Sequence, residues 1–138
     1  MMKKLRIAKS GFTVVELLIV IVVIGILAAL VLNTFSGIQA RARDAERKTD
    51  LNALHTQLEV YYNDNGFYPT LANITTANLA GLDPEALNDP SGDALHDGTG
   101  TGDYSYSCTA GGGGCTSYTL SADMESSTPD PFTKASLN

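Results

Sequence analysis

The chain is predicted to be an α+β protein in which a long N-terminal helix packs against a small C-terminal antiparallel β-hairpin. Three features of the sequence carry that prediction. From Leu17 to Gln39 there is no charged residue, which is room for roughly 20 helical residues to cross a ~30 Å hydrocarbon core at ~1.5 Å per residue. Beyond it, Leu51, Leu54, Leu58 and Tyr61 recur at spacings of three and four, a single apolar stripe along a helix. Last, Tyr104–Cys108 and Thr116–Met124 alternate aromatic or apolar with small polar residues on either side of Gly111–Gly114, the pattern of two half-buried strands and their turn.

Residues 1–11 read as a leader carrying Lys3, Lys4, Arg6 and Lys9. A secretory signal places its small-residue cleavage site behind the apolar region. Here the small residue, Gly11, stands in front of it, so cutting after Gly11 leaves the apolar helix on the mature chain as an anchor beginning at Phe12. Residues 12–35 are then the transmembrane segment and 36–63 its amphipathic continuation, one helix from Phe12 to about Asn63, with flexing expected at Gly25 and Ser36-Gly37. An Asp44–Lys48 pair one turn apart is expected to support the outer half. Gly66 suits the left-handed position after a helix end and Pro69 prevents resumption. Residues 64–103, rich in Thr, Asn, Asp, Gly and Pro, read as loop, with short helical turns at Ala77–Leu82 or Pro84–Leu87. The hairpin, 104–125, is expected to lay Tyr104, Tyr106, Tyr118, Leu120 and Met124 over the helix stripe, since a hairpin alone is marginal. The tail, 126–138, with Pro129 and Pro131, reads as irregular.

Composition excludes some functions. The net charge of −6 divides into +4 over the first eleven residues and −10 over the rest, the wrong sign for a dedicated nucleic-acid surface. Arg41, Arg43, Arg47 and Lys48 interleave with Asp44, Glu46 and Asp50 and read as a solvated helix face, with lipid-headgroup contact the next reading. Basic residues tie at four on each side of the apolar run. The extreme N-terminal position of the first cluster and the two cysteines break the tie in favour of a cytoplasmic N-terminus.

Cys108 and Cys115 flank six residues, four of them glycine, so a disulfide worth roughly 2 to 3 kcal/mol is the simplest reading, ahead of free thiols and of a metal site. His55 and His96 have no ligand-like spacing to them. No catalytic constellation is present, and the chain is read as a non-enzyme. Asp97-Gly-Thr-Gly-Thr-Gly-Asp103 lacks the strand and helix of a phosphate loop and the closing glutamate of an EF-hand, and reads as linker. Asn73-Ile74-Thr75 is a glycosylation sequon of low specificity.

Glu16 is the puzzle, a carboxylate at the head of an apolar segment where charge is costly. One reading keeps it hydrated at headgroup level. The other rests on the cut after Gly11, which creates at Phe12 an α-amino group that is largely positive at neutral pH. Glu16 of one subunit and the Phe12 amine of a neighbour then pair, giving both attraction and axial register.

These residues carry a resemblance. Gly11-Phe12-Thr13-x-x-Glu16-Leu17-Leu18 after a basic leader is similar to the class III signal of the type IV pilin and pseudopilin superfamily. Tyr61-Tyr62-x-x-Asn65-Gly66-x-Tyr68-Pro69, Asp89-Pro90-x-Gly92 and the paired tyrosine strands resemble the major pseudopilins of type II secretion and related pilins. The resemblance implies a pilin-like fold, processing by a prepilin peptidase at Gly11/Phe12, N-methylation of Phe12, and assembly into a helical homopolymer by an ATPase-driven inner-membrane platform. It matches Glu16 to the family's glutamate and implies a membrane-anchored precursor that moves into an extracellular or periplasmic filament. A pilus subunit serving adhesion, twitching motility or DNA uptake is the first reading, with nucleic acid a partner only in the last case. A pseudopilin acting in protein export is the second, and a plain anchored receptor the third. Two departures stand out. Major pseudopilins carry a calcium site after the last strands, where this chain offers only Asp123, Glu125 and Asp130 as candidates, without a close match to the family's pattern. Pilins bracket a wider C-terminal region with their disulfide than Cys108–Cys115 spans.

Overall fold

The computed structural model describes residues 11–138, apart from the side chains of Asn33 and Thr34; the basic leader cluster lies outside the described residues. The elements run α1 (Val14–Asn65), two 3-10 turns (Leu71–Asn73 and Pro84–Leu87), β1 (Tyr104–Gly111), β2 (Gly114–Ala122) and β3 (Phe132–Ala135). Contacts divide the chain after Gly37 into two units.

The first unit is the N-terminal part of α1. Its β-branched valines and isoleucines are indifferent helix formers in water, but a helix closes its own backbone hydrogen bonds and so tolerates a solvent that offers none. The segment is long and apolar enough to cross a membrane, and none of its most apolar stretch is buried within the chain. Side chains on every face, from Val14 to Leu32, are at least half or nearly half exposed.

The second unit, Ile38–Asn138, is built on the outer part of α1. Leu51, Leu54 and Leu58 are fully buried, with Tyr61 at the margin of the same cluster. Tyr104, Tyr106, Tyr118, Leu120 and Met124 join them as expected. Each buried tyrosine also satisfies its hydroxyl, as a phenol in a core must. Tyr104 donates to Asp50 (2.8 Å), Tyr106 to the Pro69 carbonyl (2.7 Å), and Tyr68 and Tyr118 to the two oxygens of Glu59 (3.0 and 2.9 Å). Tyr118 also meets the half-buried His55 at Nδ1, 2.7 Å away.

α1 ends where Gly66 turns left-handed (φ 77°), its N–H reaching the Tyr62 carbonyl at 2.7 Å. The chain then passes through Tyr68, which exchanges two 2.8 Å backbone bonds with Cys115 and so ties the helix exit to β2. Of the expected turns, Pro84–Leu87 is helical, opened by Asp83, whose side chain accepts from the Glu85 amide (3.1 Å). Ala77–Leu82 forms turns rather than a helix, and the other 3-10 segment is Leu71–Asn73. Asp89 organises the stretch leading to β1, taking the amides of Ser91 (2.7 Å), Asp93 (3.1 Å) and Asp103 (2.8 Å). Burial pushes the Asp89 carboxyl up, but these donors and Gly92 outweigh it and hold it below the usual carboxylate range.

The sheet corrects the hairpin expectation. It has three antiparallel strands in the order β1-β2-β3, and the tail read as irregular supplies the third. Pro129 and Pro131 suggested no strand, yet both precede Phe132, outside the ladder, where a missing N–H costs nothing. Thr119 pairs Ala135 and Ala122 pairs Phe132. The Asp44–Lys48 pair is also corrected. Asp44 faces inward and bonds Arg47 at 3.1 Å, while the Lys48 ammonium lies 5.9 Å from the centre of the Phe132 ring.

Gly112 and Gly113 form the two-residue hairpin loop, both at positive φ (58° and 92°) as a type I′ turn requires. Gly114 is required for space. A Cβ there would stand 2.2 Å from the Phe67 ring and 2.6 Å from the Tyr68 carbonyl oxygen. Gly114→Ala is therefore expected to lower the urea midpoint, by about 1 to 3 kcal/mol of overpacking. Gly37→Ala, with nothing within 4 Å, is expected not to lower it, and equal effects at the two positions would contradict the packing described.

Candidate processing and assembly site

Gly11, Phe12 and Thr13 precede the helix in non-helical backbone, exposed, with Phe12 at 88% of its full surface. A Cβ on Gly11 would meet nothing within 4 Å. Among the described residues nothing demands glycine at that position.

Thr13 caps α1. The Leu17 amide reaches the Thr13 carbonyl at 3.2 Å, the first helical bond, and the Glu16 amide reaches Thr13 Oγ1 at 3.2 Å. In return the Glu16 carboxylate takes the Thr13 amide (2.8 Å) and hydroxyl (2.7 Å), both on Oε2. This is a reciprocal capping box. It satisfies two of the donors that a helix start leaves open and sets a negative charge at the positive end of the helix dipole. Glu16 thus has a partner within its own chain, besides any that a neighbour brings. The signal for it is Thr-x-x-Glu ahead of an apolar run, which a reading of Glu16 against Phe12 alone passes over.

The other candidates lie in the second unit. Cys108 and Cys115 are joined by a disulfide with their Cα atoms 5.9 Å apart. A bulge that sets Thr109 against Ser117 but Ala110 against Cys115 shifts the register between them. The calcium candidates do not converge. Asp123 is exposed, Asp130 accepts the Met124 amide at 2.9 Å, and Glu125 is bound by arginine. Among the described residues no three His, Cys, Asp or Glu side chains are placed to hold a metal, so the residues present do not fit a calcium ion.

In its place is an ionic cluster that corrects the reading of Arg43 and Arg47 as a solvated face. Arg47 is 1% exposed. It bonds Asp44 Oδ1 (3.1 Å), Glu125 Oε1 (2.9 Å) and Asp103 Oδ2. Arg43 grips Glu125 from outside with Nε at 2.6 Å and with Nη2. Asp44, fully buried, takes the amides of Glu125 (2.8 Å) and Ser126 (2.9 Å) and the Ser126 hydroxyl (3.0 Å). Burial pushes the Asp44 carboxyl up, yet those donors hold it far below the usual carboxylate range. The arginines hold Glu125 at about 2.

The Asp97–Asp103 loop is closed by its own contacts. Gly98 donates to His96 Nδ1 (2.9 Å), His96 Nε2 meets the Gly102 carbonyl (3.1 Å), and Thr99 donates its amide to Asp97 (3.0 Å). Asn73 of the sequon is exposed.

Residues 6–32 match the family described as the prokaryotic N-terminal methylation motif. The chain is 43% identical over 63 residues to the type IV major pilin protein PilA of Myxococcus xanthus, covering 46% of this chain and 29% of that protein. It is 41% identical over 69 residues to the type II secretion system core protein G of Vibrio cholerae, covering 50% and 47%. To core protein G of Klebsiella pneumoniae it is 37% identical over 86 residues, covering 61% of each. These matches span from under a third to about three fifths of the relatives' own length. No solved structure matches the chain.

Because the carboxyls of Asp44 and Glu125 are depressed in the folded chain, their contribution to stability is complete above about pH 4, where unfolded carboxylates ionise. It is eroded as the pH falls from there through about 2. Thermal midpoints measured across that range are expected to fall less steeply for Asp44→Asn than for the natural chain. Identical slopes would mean that Asp44 does not act as an ionised anchor.

Proposed function

We propose that the chain is a member of the type IV pilin and pseudopilin superfamily and, on that premise, the structural subunit of a type IV pilus-like filament. The observation that carries the reading is the uncovered apolar surface of α1 from Val14 to Leu32. A surface of that kind needs a non-aqueous neighbour. Lipid supplies it while the subunit waits in the membrane, with the N-terminus in the cytoplasm. Copies of the same helix supply it in the filament.

A prepilin peptidase cuts between Gly11 and Phe12, and the new Phe12 amine is methylated. The exposed, non-helical backbone at Gly11 and the absence, among the described residues, of any structural need for glycine there both support an external reader of that residue. Glu16 then serves twice. Its Oε2 holds the cap of its own helix, and Oε1, which no cap donor takes, is the oxygen for the Phe12 amine of a neighbour, so pairing does not require the cap to open. An assembly platform with its ATPase draws the subunit from the membrane, and the finished filament lies outside the cytoplasmic membrane. The role is structural, not catalytic.

A second reading rests on the Klebsiella match, which runs over 86 residues and so past the apolar stretch. In it the chain is a pseudopilin acting in protein export. Deletion separates the two. Loss of sheared surface filaments made of this chain supports the pilus, and retention of secreted proteins with no such filaments supports the pseudopilus.

Glu16→Ala is expected to leave the chain in the membrane fraction and to reduce filament assembly by tenfold or more, the order expected for losing a desolvated pairing of roughly 1.4 kcal/mol or above. Normal filament yield from that variant would defeat the pairing. Gly11→Leu is expected to leave the leader attached, which the mass of the membrane-bound chain reports; a mature chain beginning at Phe12 would show the site to be elsewhere.

A further inference from the structure

The loop between β2 and β3 has to be fixed for β3 to find its register, because residues 123–131 are mostly exposed and contribute only Met124 to the core. What fixes it is charge on α1. Asp44 takes the loop's Glu125 and Ser126 amides, and Arg43 and Arg47 take the Glu125 carboxylate from two sides. Arg47 also reaches Asp103, the residue before β1, so that one guanidinium gathers carboxylates from the helix, the entry to the first strand and the β2–β3 loop. Helical spacing makes this work. Arg43 and Arg47 lie one turn apart on one face, and Asp44 lies beside them.

We propose that the Arg47 guanidinium, backed by Arg43, supplies in this chain the positive charge that a calcium ion would otherwise have to bring: it neutralises the carboxylates that join the 123–131 loop to the rest of the unit, and so makes the seating of β3 independent of calcium. The positive charge is built into the helix, and the carboxylates of Asp44, Asp103 and Glu125 are already engaged by it. Arginine suits the role better than lysine, since its planar fork bonds several carboxylate oxygens at once. The consequence is functional. A subunit latched this way folds and holds its C-terminal strand in calcium-poor surroundings.

The test uses the full chain purified in detergent, with calcium or with a chelator. The natural chain is expected to give the same thermal midpoint and the same rate of proteolytic cleavage within 123–131 in both. Arg47→Met is expected to be cleaved there faster in both conditions, on the order of tenfold, since cleavage tracks the population of the opened loop. Calcium is expected not to restore it. Should Arg47→Met fail to accumulate, Arg43→Gln, at a partly exposed position, is expected to show faster cleavage with the same indifference to calcium. A chelator that lowers the midpoint of the natural chain, or arginine variants cleaved no faster than it, would overturn the proposal.

Discussion

About twenty residues of α1 present apolar side chains all round, and among the described residues these side chains stand exposed. Everything else in the molecule is arranged around that constraint. A helix apolar on every face has no preferred side against which a core could form, so the small domain must be built on a different part of the same helix. There the pattern changes to a single stripe, and Leu51, Leu54 and Leu58 share one core with residues of the sheet and of the segment before it, among them Ile74, Leu79 and Leu82. The carboxylate at the head of the apolar stretch is made tolerable by Thr13, which turns a lone charge into a closed cap. Because the cap engages one oxygen, it leaves chemistry for a neighbour to use.

The second unit is small, about 100 residues, and a unit of that size gains from supports beyond its apolar core. It has three kinds. The phenols of Tyr104 and Tyr118 tie the sheet to Asp50 and Glu59 of the helix, that of Tyr106 ties it to the Pro69 carbonyl, and that of Tyr68 ties the segment after the helix back to Glu59. The disulfide closes the hairpin next to the backbone pair of Tyr68 and Cys115. The arginine cluster holds the loop that leads into β3. The phenols of Tyr68, Tyr104 and Tyr118 and the arginine cluster meet the helix at separate points along its outer part, from Arg43 to Glu59.

Features that rest on local pattern are legible in the sequence. The apolar run, the stripe, the Gly66 stop, the Pro84–Leu87 turn and the tyrosine strands are each written within a few neighbouring residues. The illegible features depend on partners far apart in sequence. Arg43 and Arg47 meet Glu125 from some 80 positions away, and composition cannot distinguish a guanidinium in solvent from one buried among carboxylates. The strand Phe132–Ala135 is four residues long behind two prolines, and only its pairing with β2 makes it a strand. Thr13 is a different case. Its role is local, but Glu16 invites an explanation by long-range pairing that hides the nearer partner.

One apolar helix surface, covered first by lipid and then by copies of itself, is the claim on which the proposed function stands. The most direct measurement places a photoreactive amino acid at Ile24, midway along the uncovered stretch, and compares adducts before and after assembly. Lipid adducts are expected from the membrane fraction and chain-to-chain adducts from the filament fraction. Lipid adducts in every fraction, with no chain-to-chain adduct in any, would contradict it.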